Sequence, residues 1–129
     1  DAGAVIHAHP DHCVALSCLR QAIPPFHYMI AGFGGTTIPC APYACFGSVD
    51  LAKAVAGALG PNLSACLMAN HGMVALGPDL ATALSRAAKL ETLARQYLLA
   101  RAAGDPVLLT PAEMEEVAAR YAGYGKQPL

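Results

Sequence analysis

A change of period at Pro10 constrains the first part of the fold. Residues 3–9, GAVIHAH, alternate as a strand does, with Val5, His7 and His9 on one face and Ile6 and Ala8 on the other. Pro10 suits the first turn of a helix running to about Gln21, where a missing N–H costs nothing, and Val14, Cys18 and Leu19 would form its buried side. Pro24 and Pro25 end that helix, and FHYMIAGFGGTTIPCAPYACFG reads as strand, glycine loop, short strand and turn. Ser48 caps a helix over VDLAKAVAGAL, whose Leu51, Val55 and Leu59 share a face and which Gly60-Pro61 stops. SACLMA and MVALG are short apolar strands on either side of Asn70-His71-Gly72, where Gly72 relieves the backbone of a tight connection. A long helix follows from about Pro78 to Ala103, with Leu80, Leu84, Ala87, Leu90, Ala94, Tyr97 and Leu98 on one face. In TPAE, Thr110 and Glu113 can satisfy each other's backbone N–H groups and start a last helix to about Tyr121. The sum is one mixed α/β domain over 1–129, its strands too irregularly connected for a plain doubly wound sheet.

Composition narrows the partners. The chain is 55% hydrophobic and 13% charged, too few charges to cover a well-solvated monomer, so burial against other subunits is expected. A net charge of -1 with eight scattered Lys and Arg residues leaves no basic stripe, which speaks against nucleic acid. No apolar run approaches the roughly 18 to 20 residues of a membrane span, and no leader pattern is present, so the expectation is a soluble cytoplasmic protein with no membrane partner. Five cysteines in such a chain suggest reduced, buried thiols rather than disulfides. The chain opens at Asp1 inside an apolar strand and its first methionine is Met29, so a portion lacking its N-terminal part is expected.

The histidines carry the chemistry. On a strand, His7 and His9 point the same way with Cα atoms about 6.6 Å apart, which lets both imidazoles converge on one ion. His71, in the turn between two apolar strands, can supply a third, and three protein ligands suit a catalytic zinc that keeps a position open. His12 lies a helical step beyond the strand and reads as a supporting or surface residue, while His27, beside Tyr28 in a strand, reads as packed. No glutamate precedes Glu91, and Asp11, Asp50 and Asp79 each fit a helix cap or first turn, so no general base is evident. Lys53, Lys89 and Lys126 fall on helix surfaces or the tail, which argues against an imine mechanism and for metal-assisted activation.

VIHAHPDHC, IPPFHYMIAGFGGTTIPCAPYACFG and MANHGMVALG together resemble the class II aldolase/adducin family, in order along essentially the whole chain. H-x-H followed by N-H-G is shared across that family, whereas HYMIA, the paired glycines and IPCAPYA-FG are similar to its branch acting on L-fuculose 1-phosphate; Asn70 departs from that branch's pattern. The resemblance implies a three-layer α/β/α domain with a mixed, largely antiparallel central sheet, assembled as a fourfold symmetric homotetramer with active sites between subunits. It implies one zinc ion per subunit on His7, His9 and His71, Tyr28 as a proton donor reaching a neighbour's site, and Phe46 and Tyr124 lining an aldehyde pocket. The implied reaction is cleavage of a ketose phosphate to dihydroxyacetone phosphate and an aldehyde through a metal-stabilised enediolate. The family's glutamate, fourth ligand and general base, lies upstream of the H-x-H strand with the phosphate-holding loops, so this portion alone is expected to be inactive or severely impaired. The same metal site could instead serve an epimerase, a sugar-acid phosphate decarboxylase or a dehydratase. An adducin-like structural domain without chemistry is the remaining reading, and three retained histidines speak against it.

Overall fold

The structure is a computed structural model describing residues 2–123. Four strands, β1 (Ala4–Ala8), β2 (Cys40–Ala41), β3 (Ala65–Met68) and β4 (Gly72–Gly77), form one sheet in the order β1-β4-β3-β2. The β1–β4 and β3–β4 pairs are antiparallel and β2–β3 is parallel, so the sheet is mixed and largely antiparallel. Among the described residues four α-helices accompany it: α1 (Asp11–Cys18), α2 (Val49–Leu59), α3 (Leu80–Ala103) and α4 (Pro111–Gly123).

Strand alternation sorts side chains into two cores. Ala65 and Leu67 of β3 with Met73 and Ala75 of β4 face α1 and α3, where Cys13, Leu16, Leu90, Leu93, Ala94 and Tyr97 close over them. Cys66, Met68 and Val74 point the other way, onto Leu51, Val55 and Leu59 of α2. The result is the three-layer α/β/α arrangement expected for the family. Each fully buried Leu, Ile or Phe of these cores contributes roughly 1.5–3 kcal/mol.

Local signals hold where the structure is local. Ser48 Oγ accepts from the Leu51 N–H at 3.1 Å, and Thr110 and Glu113 exchange bonds of 2.9 and 3.1 Å at the start of α4. Asp79 caps α3, accepting from the Thr82 N–H at 2.7 Å.

Several expectations need correcting. α1 begins at Asp11, with Pro10 as its N-cap rather than its first helical residue, and Asp11 makes no capping bond. It ends at Cys18, because the Leu19 and Arg20 N–H groups turn back onto the carbonyls of Leu16 and Ser17 and Arg20 enters the left-handed region at φ 51°. The buried face is therefore Cys13, Leu16 and Ser17, and Cys18 and Leu19 are exposed. The expected strand around Tyr28 is a 3-10 helix, Tyr28–Phe33: extended His27 caps it by accepting the Met29 N–H on Nδ1 at 3.1 Å, and Ile30 and Phe33, three apart, are buried together. On α3 the buried stripe is Ala83, Leu90, Leu93, Ala94 and Tyr97; Leu80 and Leu84 fall off it and are exposed. Burial of the thiols holds for Cys13 and Cys66 alone, since Cys18 and Cys45 are exposed and Cys40 is half-buried.

Candidate metal centre

Strand pairing brings the three histidines together. His7 lies opposite Val74 on β4 and Ala8 opposite Met73, so the end of β1 runs alongside the turn that carries His71. The three rings stand edge-on to one another with centroids 4.8–4.9 Å apart, and one nitrogen from each lies within 4.8 Å of the others. Among the described residues these are the three side chains whose donor atoms converge as a metal site requires.

Two of the rings are hydrogen-bonded. His7 Nδ1 is 3.0 Å from the Met73 carbonyl oxygen; a carbonyl only accepts, so Nδ1 carries the proton and Nε2 keeps its lone pair. His9 Nε2 lies 3.2 Å from that His7 Nε2, so in the absence of an ion His9 is the donor of this pair. Burial and the adjacent His7 and His9 hold His71 below its ordinary 6.5, favouring the neutral imidazole a cation needs. With the His9 proton moved from Nε2 to Nδ1, the three converging imidazole nitrogens are a donor set suited to zinc.

The turn before β4 is fastened to α1. Asn70 takes the left-handed conformation at φ 53°, and its N–H donates to the Ser17 carbonyl at 3.0 Å. The His71 N–H donates to the Met68 carbonyl at 3.0 Å and to Ser17 Oγ at 3.2 Å, with Ser17 fully buried. Positive φ thus falls on Asn70, not on Gly72. Gly72 is needed for space: a Cβ there would collide with the Ala8 carbonyl oxygen and stand 2.8 Å from the His9 ring.

A cavity of about 330 Å³ opens beside the triad, lined by His9, His71, Asn70, Tyr43, Ala44 and Phe46. Phe46 is 81% exposed there, an aromatic ring left largely to solvent beside the histidines. Arg20 braces the rim, donating from Nε to Asn70 Oδ1 at 2.7 Å and lying 5.5 Å from the Tyr43 ring centroid. Sequence reasoning did not single out Tyr43 or Arg20: Arg20 reaches Asn70 and the Tyr43 ring from a left-handed turn that no local signal marks. Tyr28 lines a separate cavity with Met29, Lys89, Val117, Arg120 and Tyr121, so a single chain does not bring it to the histidines. Tyr124 lies outside the described residues. The remaining histidines take structural roles, His27 as a cap and His12 in a 2.8 Å pair with Glu91.

Residues 1–98 match the family described as Class II Aldolase and Adducin N-terminal domain. Over 126 residues the chain is 46% identical to the L-fuculose phosphate aldolase of Escherichia coli (strain K12), a match covering 97% of this chain and 58% of that protein. It is 40% identical over 125 residues to the 5-methylthioribulose-1-phosphate/5-deoxyribulose-1-phosphate aldolase of Rhodospirillum rubrum, covering 97% of this chain and 56% of that one. A solved L-fuculose 1-phosphate aldolase shares its fold with a TM-score of 0.88 at 38% identity, covering 95% of this chain and 57% of that structure. The chain therefore spans a little over half the length of the relatives it matches. Among the described residues no helix is long and apolar enough to cross a membrane.

Proposed function

Since the chain belongs to the class II aldolase and adducin family, we propose that His7, His9 and His71 hold one zinc ion and that the full-length protein cleaves a ketose 1-phosphate into dihydroxyacetone phosphate and an aldehyde. The convergence of three imidazoles beside an open, aromatic-walled cavity carries this reading. When bound, the ion would supply Lewis-acid stabilisation of the negative charge that develops on substrate oxygen as the carbon–carbon bond breaks.

The chain's own residues do the rest. The Met73 carbonyl fixes the His7 tautomer and keeps Nε2 available as a ligand. Tyr43 and Phe46 offer an aromatic wall for the aldehyde end of the substrate. Tyr28, half-exposed at the head of its 3-10 helix, is free to donate a proton into the site of a second copy, which fits a homotetramer with sites between subunits. Tyr124 is assigned to the aldehyde pocket by the family resemblance. The general base and the phosphate-holding groups are assigned, on the same ground, to sequence upstream of His7.

The test is aldol cleavage by the full-length zinc-loaded protein, with L-fuculose 1-phosphate and 5-deoxyribulose 1-phosphate as parallel substrates. Dihydroxyacetone phosphate with an aldehyde is the expected product pair, lactaldehyde in the first case. Turnover of a pentulose phosphate or sugar-acid phosphate with neither product would replace aldol cleavage by another reaction on the same site.

A further inference from the structure

α1 starts two residues after the proposed ligand His9 and has no cap of its own. Pro10 lacks an N–H and its side chain accepts nothing, and Asp11, already helical, makes no capping bond. The orphan N–H groups are met from across the domain by Glu91 of α3. Its Oε1 accepts from the backbone N–H groups of His12 at 3.1 Å and Cys13 at 3.0 Å, while Oε2 accepts from His12 Nδ1 at 2.8 Å and stands 3.2 Å from the His12 N–H. Glu91 lies between Leu90 and Leu93, both buried in the core, so the carboxylate is carried on a fixed support. With these bonds its oxygens are engaged, and it does not stand among the groups that converge with the three histidines.

We propose that Glu91 is a positioning residue for the metal site: by clamping the first turn of α1 it fixes the direction in which the chain leaves His9, and so the distance between the His9 and His7 rings. This rests on the metal-binding reading above. A ligand on a strand end can swing with the loop that follows it; here that loop is a single proline held on its far side by a carboxylate. Groups that orient ligands without touching the ion typically alter metal affinity 10–100-fold when removed.

The experiment measures Co(II) and Zn(II) affinity of the full-length protein by competition with a chromophoric chelator, together with the Co(II) visible absorption band and circular dichroism of the metal-free form. Wild type should take up one ion per chain and His7→Ala should lose it; if His7→Ala binds as wild type does, the metal reading itself fails. Glu91→Ala should remain folded, bind roughly 10–100-fold more weakly and shift the Co(II) band, whereas Glu91→Gln, which keeps an acceptor for the two N–H groups, should stay within about threefold of wild type. Wild-type affinity and an unchanged band in folded Glu91→Ala would overturn the clamp while leaving the metal reading intact. Should Glu91→Ala fail to fold, Glu91→Asp decides: it keeps the charge but withdraws the carboxylate by one methylene. A loss on the order of tenfold supports the proposal, and unaltered binding overturns it.

Discussion

His7 Nδ1 donates to the carbonyl oxygen of Met73 at 3.0 Å, a bond that ties the middle of the site to the first residues of β4. In 15N-detected NMR of the metal-free protein, His7 should therefore appear as the Nδ1–H tautomer. Zinc should move its Nε2 resonance and leave Nδ1 protonated. Substituting any one of His7, His9 or His71 by Ala should lower zinc affinity at least about 100-fold while leaving the fold intact, because their rings lie outside both cores.

Gly72→Ala should damage fold and site together. The added methyl group meets the backbone carbonyl of Ala8, which cannot rotate away, and crowds the His9 ring. The expected cost is about 1–3 kcal/mol, read by thermal unfolding, with weakened zinc binding alongside.

Ser17→Ala removes the side-chain acceptor of the His71 N–H but leaves that N–H its bond to the Met68 carbonyl. A loss of roughly 1 kcal/mol is expected in urea unfolding, with the fold retained.

The Glu91 carboxyl links stability to acid. Burial alone would raise it, but bonds from the His12 imidazole and from the Cys13 and His12 N–H groups outweigh that and hold it below its ordinary 4.5. Its folded value is the depressed one, so its contribution is complete above about pH 4.5 and is lost as pH falls through that lower value. Wild type should thus lose more stability than Glu91→Gln between pH 5 and pH 3, as measured by denaturant unfolding of the metal-free protein.

Thiol reactivity should divide by exposure. Burial pushes Cys66 up to about 12, and burial with the Glu91 charge raises Cys13 further, so neither forms thiolate near neutral pH. Exposed Cys18 and Cys45 should be alkylated by iodoacetamide in the native protein, with Cys13 and Cys66 labelled only after unfolding, as peptide mass spectrometry will read.

What could be read from the sequence was what neighbours in the chain decide. The H-x-H spacing, the Ser48 cap, the Thr110–Glu113 pair and the apolar β3 and β4 follow from strand or helix period and from partners three residues away. The convergence of His71 was legible as chemistry, because a histidine in a turn between two apolar strands calls for partners, although the β1–β4 pairing that produces it was not. Glu91 was invisible for a physical reason: α1 lacks a capping residue, and no local rule says that a carboxylate 79 positions away supplies the bond. The 3-10 helix at Tyr28 was missed likewise, since YMIAGF carries apolar residues that serve a strand as well as a tight helix. The tertiary burial of Ile30 with Phe33 decides between them.

The residues that meet between β1 and β4 are strangers in the chain, His7 and Met73 being 66 positions apart. The unfolded polypeptide holds two of the three proposed ligands, the H-x-H pair, and the third joins them only after the ends of that long loop have met. Loop closure of this kind is a slow, entropy-limited event in folding. Zinc would bind the closed loop far better than the open one, so the ion would slow unfolding by acting as a latch on the most distant pairing in the sheet.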